Sequence, residues 1–104
     1  MERLAFTVGE SFVVRGLGLS LFPRAGQLDH GLRIGDALEL RRPDGSTRLA
    51  SVECLNPVHA NPTPFWAVVF PDWPGDEAPA GTEVWVVSSA QEAEPGAAAD
   101  GPHL

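Results

Sequence analysis

The stretch Gly31-Leu32-Arg33-Ile34-Gly35-Asp36-Ala37-Leu38-Glu39-Leu40 reads as a tight glycine corner that delivers the chain into an alternating strand. Gly35 can take the positive φ that a sharp reversal needs, and the Asp36 carboxylate can accept a backbone N–H and fix the corner. Leu38 and Leu40 then face one way and Glu39 the other, as in a half-buried strand.

Working outward, Pro43-Asp44-Gly45-Ser46 is the clearest turn, so the strand Ala37–Arg41 should pair antiparallel with a return strand from Thr47 to Leu55. On that strand Ala50, Val52 and Cys54 share one face, which makes Cys54 a small core residue. Upstream, Leu4, Phe6 and Val8 alternate with polar neighbours, and Phe12 and Val14 resume the pattern after a bulge at Gly9-Glu10. Gly16-Leu17-Gly18 leads into a short strand, Leu19–Phe22, ended by Pro23, and Arg24–His30 is a polar loop. Downstream, Asn56–Pro64 holds three prolines and reads as an extended surface loop. Phe65–Phe70 is apolar on both faces and reads as the central strand, Pro71–Pro79 is a second proline-rich loop, and Glu83–Val87 is the closing strand. Trp66 and Trp85, lying in strands, are expected in the core.

The composition agrees with many short strands: 11 glycines and 10 prolines leave little room for long helices, while 43% hydrophobic residues support a packed core. The reading is therefore all-β, with one domain over residues 1–89 and a disordered acidic tail over 90–104. One cysteine rules out an intramolecular disulfide framework. No signal-peptide pattern and no run long enough to span a membrane are present, so the expected location is cytoplasmic.

Charge is arranged by position. All seven basic residues are arginines and all lie within the first 48 positions; residues 1–50 carry +1 and residues 51–104 carry −8. A net acidic chain is a poor default ligand for nucleic acid or an anionic membrane, whose recognition rests on Lys and Arg.

The succession of Phe6-Thr7-Val8 with Phe12-Val13-Val14, Gly16-Leu17-Gly18, the Gly31–Asp36 corner, a hairpin, an apolar strand and Ala80-Gly81-Thr82 before a last strand resembles the second domain of elongation factor Tu. The resemblance implies a small closed antiparallel β-barrel over roughly Phe6–Val87, and contact with tRNA or ribosomal RNA. Where members of that family usually carry an arginine between the two glycines, this chain has Leu17, with Arg15 on the other side of Gly16. There is no lysine in the chain and hence no P-loop.

Catalytic and metal patterns are weak. Cys54 and His59 could form a nucleophile pair but lack a third group, and His30 with Asp29 and Asp36 matches no zinc spacing. No cofactor motif is found. The leading expectation is a non-enzymatic protein-interaction module, an acidic inhibitor or immunity-type protein that meets a basic partner through Trp73, Asp72, Asp76, Glu77 and His59. The alternative is an RNA-binding accessory using Arg15, Arg24, Arg33, Arg41 and Arg42 as a patch.

Overall fold

The computed structural model describes residues 2–59 and 63–89. Among them are seven strands and no helix: β1 (Arg3–Val14), β2 (Gly18–Pro23), β3 (Ala37–Arg41), β4 (Thr47–Ser51), β5 (Cys54–Val58), β6 (Phe65–Phe70) and β7 (Glu83–Ser88). All pair antiparallel in one sheet of order β4-β3-β7-β1-β2-β6-β5. The disordered tail expected over 90–104 lies outside the described residues, and among the described residues no helix is long and apolar enough to cross a membrane.

The 12-residue β1 belongs to both halves of the sheet. Arg3–Thr7 pairs with β7, and Val8–Val14 pairs with β2, with the register slipping between Val8 and Glu10 as the expected bulge requires. Residues alternating along five strands point inward to one core: Phe6 and Val8, Leu19 and Leu21, Leu38 and Leu40, Val68 and Phe70, Val84 and Val86.

The sequence-level corner is realised in detail. Gly35 has φ +97°, the Asp36 N–H donates to the Arg33 carbonyl at 3.1 Å, and the Arg33 N–H donates to the Asp36 carboxylate at 2.9 Å. The Pro43–Ser46 turn also forms. The Gly45 N–H donates to the Arg42 carbonyl at 2.9 Å, Gly45 takes φ +92°, and the Ser46 N–H and hydroxyl both donate to Asp44.

The single return strand Thr47–Leu55 is corrected. The chain breaks at Val52-Glu53, and the second part, β5, pairs with β6 at the opposite edge of the sheet. Cys54 is therefore half-buried beside Val69 and outside the core, whereas Val52 is inside it. Asn56-Pro57-Val58 is strand rather than loop. Proline is tolerated there because β5 is an edge, where one side of the backbone needs no ladder partner. The expected barrel is not closed, since no ladder joins β4 to β5 among the described residues.

The tryptophans also sort differently from expectation. Trp85 alternates with the buried Val84 and Val86, so it lies on the outer face, where the Arg41 guanidinium covers its ring at 4.4 Å. Trp66 has the inward parity of Val68 and Phe70 but lies beyond the end of the core, and the residue is 52% exposed.

Two substitutions test this packing. A Cβ on Gly18 would lie 2.6 Å from the Phe70 carbonyl oxygen and 2.7 Å from Pro71 Cα, at φ +129°, whereas one on Gly16, at φ +84°, meets nothing within 4 Å. Gly16→Ala should cost about 1 kcal/mol in chemical denaturation, and Gly18→Ala at least about twice that, because backbone must move. The Thr82 hydroxyl is fully buried and has no hydrogen-bond partner among the described residues. Thr82→Val should therefore be neutral or stabilising by about 1 kcal/mol.

Candidate functional site

The loop Pro71–Pro79 carries four of the five residues that the acidic-partner reading singles out. Phe70-Pro71-Asp72-Trp73 is a turn with Asp72 at φ +68°, a conformation aspartate tolerates better than most residues. The turn folds Trp73 back onto the core. Its ring stacks on Phe70 with centroids 4.1 Å apart, and the Arg48 guanidinium covers it at 3.7 Å.

Glu77 completes this cluster. Its carboxylate accepts from Arg48 at 2.6 Å and from Arg42 at 2.6 Å, and its carbonyl accepts from Arg42 Nε at 2.6 Å. The Ser11 hydroxyl pins the neighbouring Ala78 carbonyl at 2.6 Å. The hydrogen bond from Arg48, together with the positive charges of Arg42 and Arg48, holds the Glu77 carboxyl below the usual carboxylate range. Trp73 and Glu77 are thus engaged within the chain, while Asp72 and Asp76 remain exposed.

The arginines divide in the same way. Arg41 donates to Glu39 at 2.6 Å and to Glu2 at 2.8 Å. Arg42 is held by Glu77, and Arg3 donates to the carbonyls of His30 and Gly31. Arg15, Arg24 and Arg33 are exposed and make no ion pair among the described residues. Arg15 precedes β2 and Arg24 follows it, so the strand holds them about 20 Å apart. Arg15 and Leu17 instead line an open cleft of ≈ 480 Å³ with Val13, Pro71, Asp72 and Trp73.

A different surface gathers around Trp66, a residue expected in the core and passed over as a site. Trp66, Phe65 and Pro64 form a shared wall between two open clefts. The larger, of ≈ 530 Å³, is completed by Leu28 and Asp29 among others; the smaller, of ≈ 270 Å³, is completed by Pro57, Val58 and His59. The ridge is fastened from below by His30. The Leu32 N–H donates to His30 Nδ1 at 3.1 Å, so the ring proton sits on Nε2 and is donated to the Trp66 carbonyl at 2.7 Å. His30 is buried and packs against Phe6. The signal available in the sequence was Trp66 next to a proline-rich segment, one residue out of reach of the core.

Cys54 and His59 stand at opposite ends of β5, about 16 Å apart in extended chain, so the nucleophile pair does not assemble. Among the described residues no group of three potential ligands could hold a metal ion. Comparison with protein-family models, with curated proteins and with solved structures gives no match.

The Trp73 cluster has a clear pH signature. A carboxylate whose value is lowered on folding stabilises the fold above its ordinary range, and that contribution is lost as pH falls through the lowered value. Asp44, held low by the Ser46 hydroxyl and N–H, adds in the same direction. Glu77→Gln should flatten the acid limb of a stability-against-pH profile and shift Trp73 emission to the red at neutral pH. Both effects should shrink in high salt, because the group is partly exposed.

Proposed function

We propose that this chain is a non-enzymatic protein-interaction module whose docking surface is the Trp66 ridge with its two flanking clefts. The observation that carries the reading is an exposed tryptophan on strand β6 with an open cleft on either side. Tryptophan buries a large area for little lost freedom and is enriched where binding energy concentrates. His59, one of the residues singled out from sequence, lines this surface. Trp73 and Glu77 lie outside this surface and keep the loop Pro71–Pro79 tied to the core.

The net charge of −7 favours a basic partner, through faster encounter and through rejection of acidic ones, as an inhibitor or immunity-type protein requires. We read the curled sheet as an opened counterpart of the small barrel in the second domain of elongation factor Tu. The positive-φ Gly16 and Gly18, the Gly35-Asp36 corner and the hairpin that follows it support that reading. An RNA-binding accessory is the second reading, favoured by the exposed Arg15, Arg24 and Arg33, which make no ion pair among the described residues.

Affinity capture of the tagged chain from extract of its source cells separates the two. The protein reading expects a protein that survives nuclease and is lost with Trp66→Ala. Capture that is indifferent to Trp66 but abolished by nuclease, moderate salt or the triple change Arg15→Ala, Arg24→Ala, Arg33→Ala would replace it with the RNA reading.

A further inference from the structure

The identity of the ligand can be argued further, on the reading that the Trp66 ridge is the docking surface. We infer that it takes a basic, proline-containing segment in the polyproline II conformation.

The first argument is shape. A polyproline II helix repeats every three residues with a rise of about 3.1 Å per residue, so successive turns present prolyl pairs to adjacent grooves separated by an aromatic ridge. The two clefts share the wall made by Pro64, Phe65 and Trp66 and open on either side of it. The shared wall, with Pro57 across the smaller cleft, offers rings and prolines against which a pyrrolidine packs flat.

The second argument is what the adjoining sheet edge withholds. An extended peptide most often docks on a sheet by adding a strand, which needs a row of free N–H and C=O groups. β5 is the edge strand here, and Pro57, opposite Trp66, has no N–H to give. A ligand that depends on a ladder is refused at this position. A polyproline II segment, whose backbone makes no internal hydrogen bonds and stays largely solvated, is not. The Trp66 indole N–H has no partner among the described residues and is free to donate to one ligand carbonyl.

Charge is the third argument. No Lys or Arg lines either cleft, and the exposed Asp29 lines the larger one. A single strand of nucleic acid would find rings to stack on but no basic groove for its phosphates. A second copy of this chain would bring another −7 to the same surface. A basic residue flanking the prolines satisfies Asp29 and the long-range field together.

The test uses the indole N–H resonances of the three tryptophans in a titration with a synthetic peptide bearing two Pro-x-x-Pro turns and flanking arginines. The Trp66 signal should move while those of Trp73 and Trp85 stay, which also reports that variants remain folded. Followed by the anisotropy of a labelled peptide, since this variant lacks the reporting indole, Trp66→Ala should weaken binding about thirtyfold, as for a central tryptophan anchor. Asp29→Lys, a surface change away from the core, should weaken it several-fold and reduce its dependence on salt. An alanine-for-proline peptide of the same charge should bind at least about tenfold more weakly.

Equal binding of the alanine peptide, or no movement of Trp66 at millimolar peptide, would overturn the inference, as would movement caused by oligothymidine instead. If the peptides fail while Trp66→Ala still releases a nuclease-resistant captured protein, only the ligand class falls. If capture is also indifferent to Trp66, the docking surface falls with it.

Discussion

Two backbone hydrogen bonds at Val52 set the geometry of the whole sheet. The Val52 N–H donates to the Asp36 carbonyl at 2.9 Å, and its carbonyl accepts from the Gly35 N–H at 2.8 Å. They extend the β3–β4 ladder by one residue into the glycine corner, and there the chain turns away. Within two residues it re-enters the sheet as β5, on the far edge. One short segment can serve both edges only if the sheet curls until those edges approach, and that curl wraps the inner faces of five strands around one core. Val52 is buried at the crossing and its side chain joins that core. The same crossing puts Pro57 opposite Trp66 and so forms the rim of the second cleft.

Much of this was legible because local chemistry and global packing agree. The positive-φ glycines at 35 and 45, the Asp36 and Asp44 carboxylates that accept from their own turns, and the alternation of Leu38 and Leu40 with Glu39 are short-range features that tertiary context leaves alone. The break at Val52-Glu53 was not legible, because Ala50, Val52 and Cys54 keep formal alternation across it. Only the long-range bonds to Gly35 and Asp36 show that the strand changes partners there. Pro57 misleads for a related reason: proline excludes a central strand but not an edge, and strand position is a property of topology. Trp85 could have been placed outward from the Val84-Trp85-Val86 alternation alone, whereas Trp66 obeys the inward parity and is exposed only because the core ends first.

The charge asymmetry along the chain reads in one dimension as two opposed surfaces, one basic and one acidic. In three dimensions they meet. The hairpin β3–β4 carries Arg42 and Arg48 to Glu77 of the acidic half, while Arg41 pairs with Glu39 and Glu2 within the first half. Segregation of sign along a chain is what complementary contact between an early hairpin and a late loop looks like before folding. Partly exposed pairs of this kind add modest stability individually. Their effect here is positional: Arg48 lies on Trp73 and Trp73 on Phe70, so the loop with the most prominent tryptophan in the sequence is spent on closing one end of the core.

The apolar character of β6 on both faces finds its reason on the outer surface. There Phe12 stacks on Phe22 at 4.8 Å, and Phe22 meets Phe65 edge-on at 5.7 Å. Phe12 opposes Ser20, which opposes Val69, so this row of rings runs across β1, β2 and β6, and Ser20, Ala67 and Val69 are buried on that side. Phe65 is the last ring in the row and also the shared wall of both clefts. It is therefore braced by its aromatic neighbours on one side, while His30 fixes the adjacent Trp66 backbone from the other. A wall held from two directions loses little further freedom when a ligand arrives, which removes part of the ordering cost that weakens small interfaces. The outer aromatic row and the buried histidine thus act on the same point, and that point is where a surface tryptophan stands between two open clefts.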